Sequence, residues 1–312
     1  MNDRNPERLR PARRFLHVCY CTADSGPATK FFVELFGMKN TMTAEVRRSS
    51  GAVLGLDGET TSGAAFVYDA RGPRVSPALE IQTWIDPPLV GEPPTDPTVA
   101  GIHALGIAVP DLAAAEAAVV GAGCTVIGRG ALPGIGDMVT VRDPRGVTLD
   151  LVGGEPRVAG SPPSRLRHLR SSVTDLEASL PWFDDLGFDL VDRATLTDGA
   201  PIGVEGPVDA EMVRLRLPDE PFELVLIQWR TPRTKGRHTD RPNHAGLFRA
   251  ALGVDDTVVA YESLLADGTS FDRAPMVVPL VGTPVPDLVI CFLSDPDGVP
   301  FEFVQRPRSA FR

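Results

Sequence analysis

The chain repeats one plan four times, and that repeat limits what it can fold into more than any other feature. The windows RFLHVCYCTADSGPATKFFVELFG, GIHALGIAVPDLAAAEAAVVGAG, RLRHLRSSVTDLEASLPWFDDLGF and GLFRAALGVDDTVVAYESLLADG carry it. In each, a strand position lies five residues before a Val or Thr that precedes a turn, and a glycine follows the next helix. The distance between the two is 20 residues for His17 to Gly37, and 19 for Ala104 to Gly123, His168 to Gly187 and Arg249 to Gly268. Leu176, Leu180 and Phe183 have helical spacing, with Asp175 as the N-cap and Gly187 past the C-terminus. Short β-rich segments follow each helix, among them GAAFVYDA, DMVTVRDP, MVRLRLPD and LVICFLSD, so each unit reads as βαβββ.

A second, longer repeat lies over the first. DPRGVTLDLV at Asp143 matches DPDGVPFEFV at Asp295, an offset of 152 residues, and Asp150 and Glu302 each stand seven residues after the opening Asp. His17 and His168 differ by 151, and Trp84 and Trp229, which close PALEIQTW and FELVLIQW, differ by 145. The chain therefore reads as two similar halves joined by GGEPRVAGSPPS at 153–164, a Gly/Pro/Ser-rich stretch with linker character. The expected domains are 13–153, with modules at about 13–86 and 100–153, and 164–307, with modules at about 164–231 and 244–307.

Composition narrows the function classes. Of 312 residues 43% are hydrophobic and 23% charged, enough to bury two cores. A net charge of −10 repels nucleic-acid backbones and anionic lipid, and the one basic cluster, RNPERLRPARR, reads as a solvated tail. No apolar signal region follows those arginines and no run reaches the roughly 18 apolar residues of a membrane span, which suggests a cytoplasmic protein without nucleic-acid or membrane partners. Cys19, Cys21, Cys124 and Cys291 are too few and scattered for a disulfide scaffold and read as buried thiols. GALPGIG lacks the dinucleotide-binding context, and there is no G-x-S-x-G elbow.

On the strand histidine followed by V-x-D at the helix start, the LGF-like helix end and the DPxG hairpin before the last strand, residues 13 to 306 resemble the vicinal oxygen chelate superfamily. That superfamily includes glyoxalases, bleomycin-resistance proteins and extradiol dioxygenases. The resemblance implies an α+β fold of two domains, each a pair of βαβββ modules whose mixed sheets curve around a cleft. It also implies a divalent metal (Fe, Mn, Zn or Mg) held by the first and last strands of paired modules. In the N-terminal half those slots hold His17, Glu80, Ala104 and Asp150, so His17, Glu80 and Asp150 become the expected metal ligands. In the C-terminal half they hold His168, Val225, Arg249 and Glu302. A guanidinium cannot ligate, so Arg249 is expected to pair with Glu302, with His168 alongside, in a half that is either structural or binds an anionic group of a substrate through these residues. His103 is one residue out of register and reaches the cleft only through a β-bulge; His238 and His244 lie in a loop that can reach its rim.

The resemblance favours a metal-dependent isomerase, epimerase or lyase in which Glu80 or Asp150 removes a proton next to a metal-bound oxygen of a small molecule with adjacent oxygens. One alternative is an extradiol-type dioxygenase using Fe(II) with two histidines, His103 among them, and a carboxylate. The other is a metal-free protein that sequesters a small molecule. Either a monomer or a homodimer is compatible with four modules.

Overall fold

The structure is a computed structural model that describes residues 9–154, 164–218, 220–278 and 287–306. All four repeats fold as expected. Module one comprises β1 (Ala12–Thr22), α1 (Ser25–Phe36), β2 (Lys39–Ser50), β3 (Glu59–Tyr68) and β4 (Ala78–Asp86). Module two comprises β5 (Gly101–Ala108), α2 (Leu112–Gly121), β6 (Thr125–Leu132), β7 (Gly136–Arg142) and β8 (Thr148–Val152). Module three comprises β9 (Arg165–Ser172), α3 (Leu176–Leu186), β10 (Asp189–Leu196), β11 (Asp209–Arg216) and β12 (Glu223–Thr231). Module four comprises β13 (Gly246–Val254), α4 (Thr257–Ala266), β14 (Arg273–Val278), β15 (Leu288–Ser294) and β16 (Pro300–Gln305).

Local chemistry explains why the repeats are visible in the sequence. Every helix opens on an aspartate, Asp24, Asp111, Asp175 or Asp256, in extended conformation, whose carboxylate accepts a backbone N–H of the first turn. The two DPxG hairpins work alike. Asp143 Oδ1 accepts from the N–H groups of Arg145 and Val147, and Asp295 Oδ1 from those of Asp297 and Val299. The glycines at the fourth position, Gly146 and Gly298, have φ of 85° and 86°, a region that a side chain disfavours.

The modules do not pair as the sequence halves suggest. One eight-stranded sheet runs β14-β15-β16-β13-β1-β4-β3-β2 and joins module one to module four; the other runs β10-β11-β12-β9-β5-β8-β7-β6 and joins module two to module three. Each joint is an antiparallel pair of first strands, β1 with β13 and β5 with β9. The arrangement is nested. Modules two and three flank the 153–164 segment and pair with each other, which leaves the first strands of the outer modules to cover one another's open edges.

The largest apolar core draws on both sheets and on the helices. Phe15 of β1 meets Phe188 and Phe222 of module three at ring separations of 5.6 and 4.9 Å, and Trp182 of α3 meets Phe301 of β16 at 5.5 Å. All four cysteines are buried free thiols. Among the described residues no helix is long and apolar enough to cross a membrane.

Candidate functional site

Strand register confirms which positions form equivalent slots. Within each module the first and last strands run parallel, and the slot acid lies two residues beyond the partner of the slot on the first strand: His17 pairs with Ala78, two before Glu80, and Ala104 with Thr148, two before Asp150. His168 pairs with Glu223, two before Val225. The nested pairing redistributes these slots. The first sheet gathers His17, Glu80, Arg249 and Glu302; the second gathers Ala104, Asp150, His168 and Val225.

In the first sheet the four side chains converge at the floor of a cavity of about 450 Å³. His17 Nε2 lies 3.3 Å from Glu80 Oε2 and 3.4 Å from Glu302 Oε2. Arg249 Nη2 donates to the same Glu80 oxygen at 3.2 Å, and Arg249 Nε lies 3.5 Å from the same Glu302 oxygen. Leu16, Met42, Phe66, Leu288 and Val304 supply apolar wall, and Gln82, two residues along β4 from Glu80, adds a polar group. Phe66 stands edge-on to the His17 ring at 6.0 Å, and the Arg249 guanidinium lies over Phe292 at 6.0 Å. Burial works against the charge of Glu80, but His17 and Arg249 together outweigh it and hold that carboxyl below its ordinary range. Burial likewise opposes the charge of Arg249, and Glu80, Cys19 and Glu302 reverse the effect, so it stays a cation. Three buried atoms, His17 Nε2, Arg249 Nε and Glu302 Oε2, have no hydrogen-bond partner. Polar atoms so placed are costly unless something else meets them.

The second sheet has the same slots and a different content. Arg170, two residues beyond His168 on β9, donates from Nε to Asp150 Oδ2 at 2.7 Å and from Nη2 to Oδ1 at 3.0 Å. His168 Nε2 lies 3.1 Å from Asp150 Oδ2, and Thr140 Oγ1 lies 3.0 Å from Asp150 Oδ1. His168 and Asp150 have no exposed side-chain surface. Burial opposes ionisation of Asp150, yet Arg170 and His168 drive its carboxyl well below the usual value; burial pushes the His168 imidazole down. A Cβ on Gly106 would lie 2.3 Å from the His168 ring, so the close approach of β5 needs that glycine.

This cleft is filled by the chain itself. A 3-10 turn at Ala200–Ile202 packs into it among Leu132, Met138, Val225 and Trp229. Thr140 Oγ1 also lies 2.7 Å from the Pro201 carbonyl, and a Cβ on Gly128 would meet Ala200 O and Pro201 O at 2.5 Å. The corresponding 3-10 turn of module one, Gly51–Leu54, instead lies at the cavity wall, where Ala52, Val53 and Leu54 line it.

Several expectations are corrected. Asp150 is not a partner of His17 and Glu80; it belongs to the other sheet, and both its oxygens are taken by Arg170. His168 does not accompany Arg249 and Glu302, although those two do meet. His103 turns to the Val99 carbonyl at 2.6 Å, and burial lowers its pKa to about 4. His238 bonds the Phe248 carbonyl at 2.8 Å, and His244 Nδ1 lies 3.1 Å from its neighbour's carbonyl at Ala245. None of these three histidines lines the cavity.

The fold implies a divalent metal, and the donor set does not suit one. One imidazole and two carboxylates converge, but Arg249 occupies the fourth slot and contacts the same two oxygens that face His17. An ion bound by those oxygens would lie about 4 Å from a permanent cation, where a +2/+1 repulsion costs several kcal/mol even at an effective dielectric of about 20. Among the described residues no group of three or more His, Cys, Asp or Glu is arranged to hold a metal ion.

The family model of the Glyoxalase/Bleomycin resistance protein/Dioxygenase superfamily matches residues 14–151 and again 165–303, and the chain belongs to that superfamily. Glyoxalase I from Zea mays has a similar structure, with a TM-score of 0.69 at 20% identity over 96% of this chain and 94% of that one. A Bacillus subtilis protein provisionally described as a dioxygenase aligns with a TM-score of 0.57 at 13% identity, over 96% of this chain and 87% of that one. Identities this low show the shared fold alone. No curated protein matches the chain.

Proposed function

We propose that the first-sheet cavity is the working site of an enzyme that moves a proton next to a carbonyl or enolate oxygen of a small molecule with adjacent oxygens, giving isomerase- or lyase-type chemistry. The observation that carries this reading is Arg249 in the fourth slot, buried and in contact with both slot carboxylates. It supplies a fixed positive charge where the superfamily commonly uses a divalent ion. Its guanidinium has more N–H donors than Glu80 and Glu302 can use, and the planar fork suits two adjacent oxygens. Positive charge preorganised in a water-poor cavity stabilises the oxyanion that develops when the neighbouring C–H is lost.

The remaining groups divide the work. Glu80, held ionised, anchors Arg249. Glu302 is the base, because its Oε2 is a buried carboxylate oxygen with no hydrogen bond, so a lone pair is open to take the proton of a substrate C–H placed beside it. His17, 3.4 Å from that oxygen, can pass the proton on or return it to the adjacent carbon. The apolar wall takes the ligand's hydrocarbon part. Glu302 thus takes the role expected of Asp150. The extradiol reading loses its second histidine, since His103 lies in the other sheet.

The test is a panel of α-hydroxyketones, 1,2-dicarbonyls and α-keto acids, followed by NMR for exchange of the α-proton in D₂O with a chelator present. The expected result is exchange of at least one class, unaffected by the chelator. Exchange that stops with the chelator and returns with a divalent metal would overturn the role given to Arg249.

A further inference from the structure

On the last strand of each module, the residue two beyond the slot faces the same way as the slot itself. Modules two, three and four hold Val152, Ile227 and Val304 there, each buried in an apolar cluster. On the neighbouring strand these pair with Met138, Met212 and Ile290. Module one departs from the pattern on both strands. Gln82 stands where the others have a branched apolar residue, and Ala64 stands opposite it in place of a bulky one. We infer that Gln82 decides which substrate the cavity takes: one that carries, beyond its two adjacent oxygens, a further neutral hydroxyl or carbonyl. The inference rests on the cavity being the working site and names the substrate class of that site.

Gln82 is only 3% exposed and lines the cavity, and among the described residues none hydrogen-bonds its side-chain amide. A buried amide so placed is costly until a ligand meets it. Ala64 leaves open the space beside it that methionine fills in both modules of the second sheet. Ala44, which pairs with Ala64 on β2, and Ser62, two residues along β3, line the cavity beyond. An amide donates and accepts without charge, so it matches a hydroxyl or a carbonyl; a second anionic group would be repelled by Glu80 alongside. Two strand residues span about 7 Å, the reach of a four-carbon chain with an oxygen at its far end. On β16, separated from β4 by β13 and β1, the equivalent position is Val304, which with Met276 and Leu288 presents apolar surface to the same cavity. A ligand with one polar and one apolar end therefore enters in a single orientation.

The test titrates the full chain, by NMR, with 1,4-dihydroxybutan-2-one and with 1-hydroxybutan-2-one, which lacks only the far hydroxyl. The wild type is expected to bind the dihydroxy ketone roughly three- to ten-fold more tightly, the worth of one neutral hydrogen bond to a group otherwise unmatched. Gln82→Val, a side chain that the same strand position accepts in two sister modules, is expected to abolish or reverse that preference and to leave binding of the monohydroxy ketone at least as tight. A merely structural role for Gln82 would weaken both compounds alike. The preference is expected to persist in Glu302→Gln, which separates this inference from the assignment of the base: a persistent preference without α-proton exchange would count against the proton-transfer reading alone. A wild type that binds the two compounds equally or binds neither, or a preference that survives in Gln82→Val, would overturn the inference. The wild-type comparison decides it even were the variant not to fold.

Discussion

Glu302→Gln is expected to lower α-proton exchange by roughly 10²- to 10⁴-fold, the usual contribution of a positioned general base, while changing stability little. The amide keeps the shape of the carboxylate but cannot accept the proton. Glu302 Oε2 makes no hydrogen bond in the fold, so the loss with its charge is confined to its ion-pair contacts, with His17 at 3.4 Å and Arg249 at 3.5 Å. Arg249 retains Glu80 at 3.2 Å as its counter-ion. Glu80→Gln is the informative contrast. It removes the firmer partner of Arg249, so its defect falls on ligand affinity as well as on rate. Rate and chelator-insensitivity measured on both variants check the assignment. Full exchange activity in Glu302→Gln would remove Glu302 as the base.

Asp150→Ala is expected to act on stability instead, by about 3–5 kcal/mol, the typical cost of breaking a buried ion pair from one side. Arg170 and His168 would be left in a sealed interior without the carboxylate that both face. The same group sets an acid limit. Its carboxyl is held low in the fold, so the unfolded chain takes up the proton first. Its stabilisation is present above the ordinary aspartate value and is lost as the pH falls toward the folded value. Urea unfolding at several pH values checks both points. The wild type should lose stability on acidification below about pH 4, and Asp150→Asn should lose less over the same range. An Asp150→Ala protein of near-wild-type stability that had lost exchange activity would move the working site to the second sheet.

These contrasts rest on a pairing that the repeats left open. Four copies of one strand-helix plan and two DPxG hairpins were enough to define the modules, their slot positions and the helix caps, because those features are local in sequence. Which modules share a sheet is not local. The edges of β1 and β13 carry no side-chain code that tells them from those of β5 and β9, since the pairing is made by backbone groups. Assigning modules by halves therefore joined His17 and Glu80 to Asp150 when their partners are Arg249 and Glu302, and it left Arg249 with His168 when Arg249 belongs with Glu80. Arg170 and Gln82 follow slot residues at a spacing of two and could have been found from strand alternation. The turn at Ala200–Ile202 that fills one cleft depends on long-range packing and had no short-range signal.

Metal titration tests the central claim, that a guanidinium stands in the metal position of the working cavity, most directly. Chelator-treated full-length protein would be titrated with Mn²⁺, Ni²⁺ and Zn²⁺ by calorimetry, beside Arg249→His, which offers a fourth ligand in the same slot. The wild type is expected to show no stoichiometric uptake that depends on His17, and Arg249→His to take up about one equivalent that a further Glu80→Gln removes. One equivalent bound by the wild type and lost in both His17→Ala and Glu302→Gln would contradict the account.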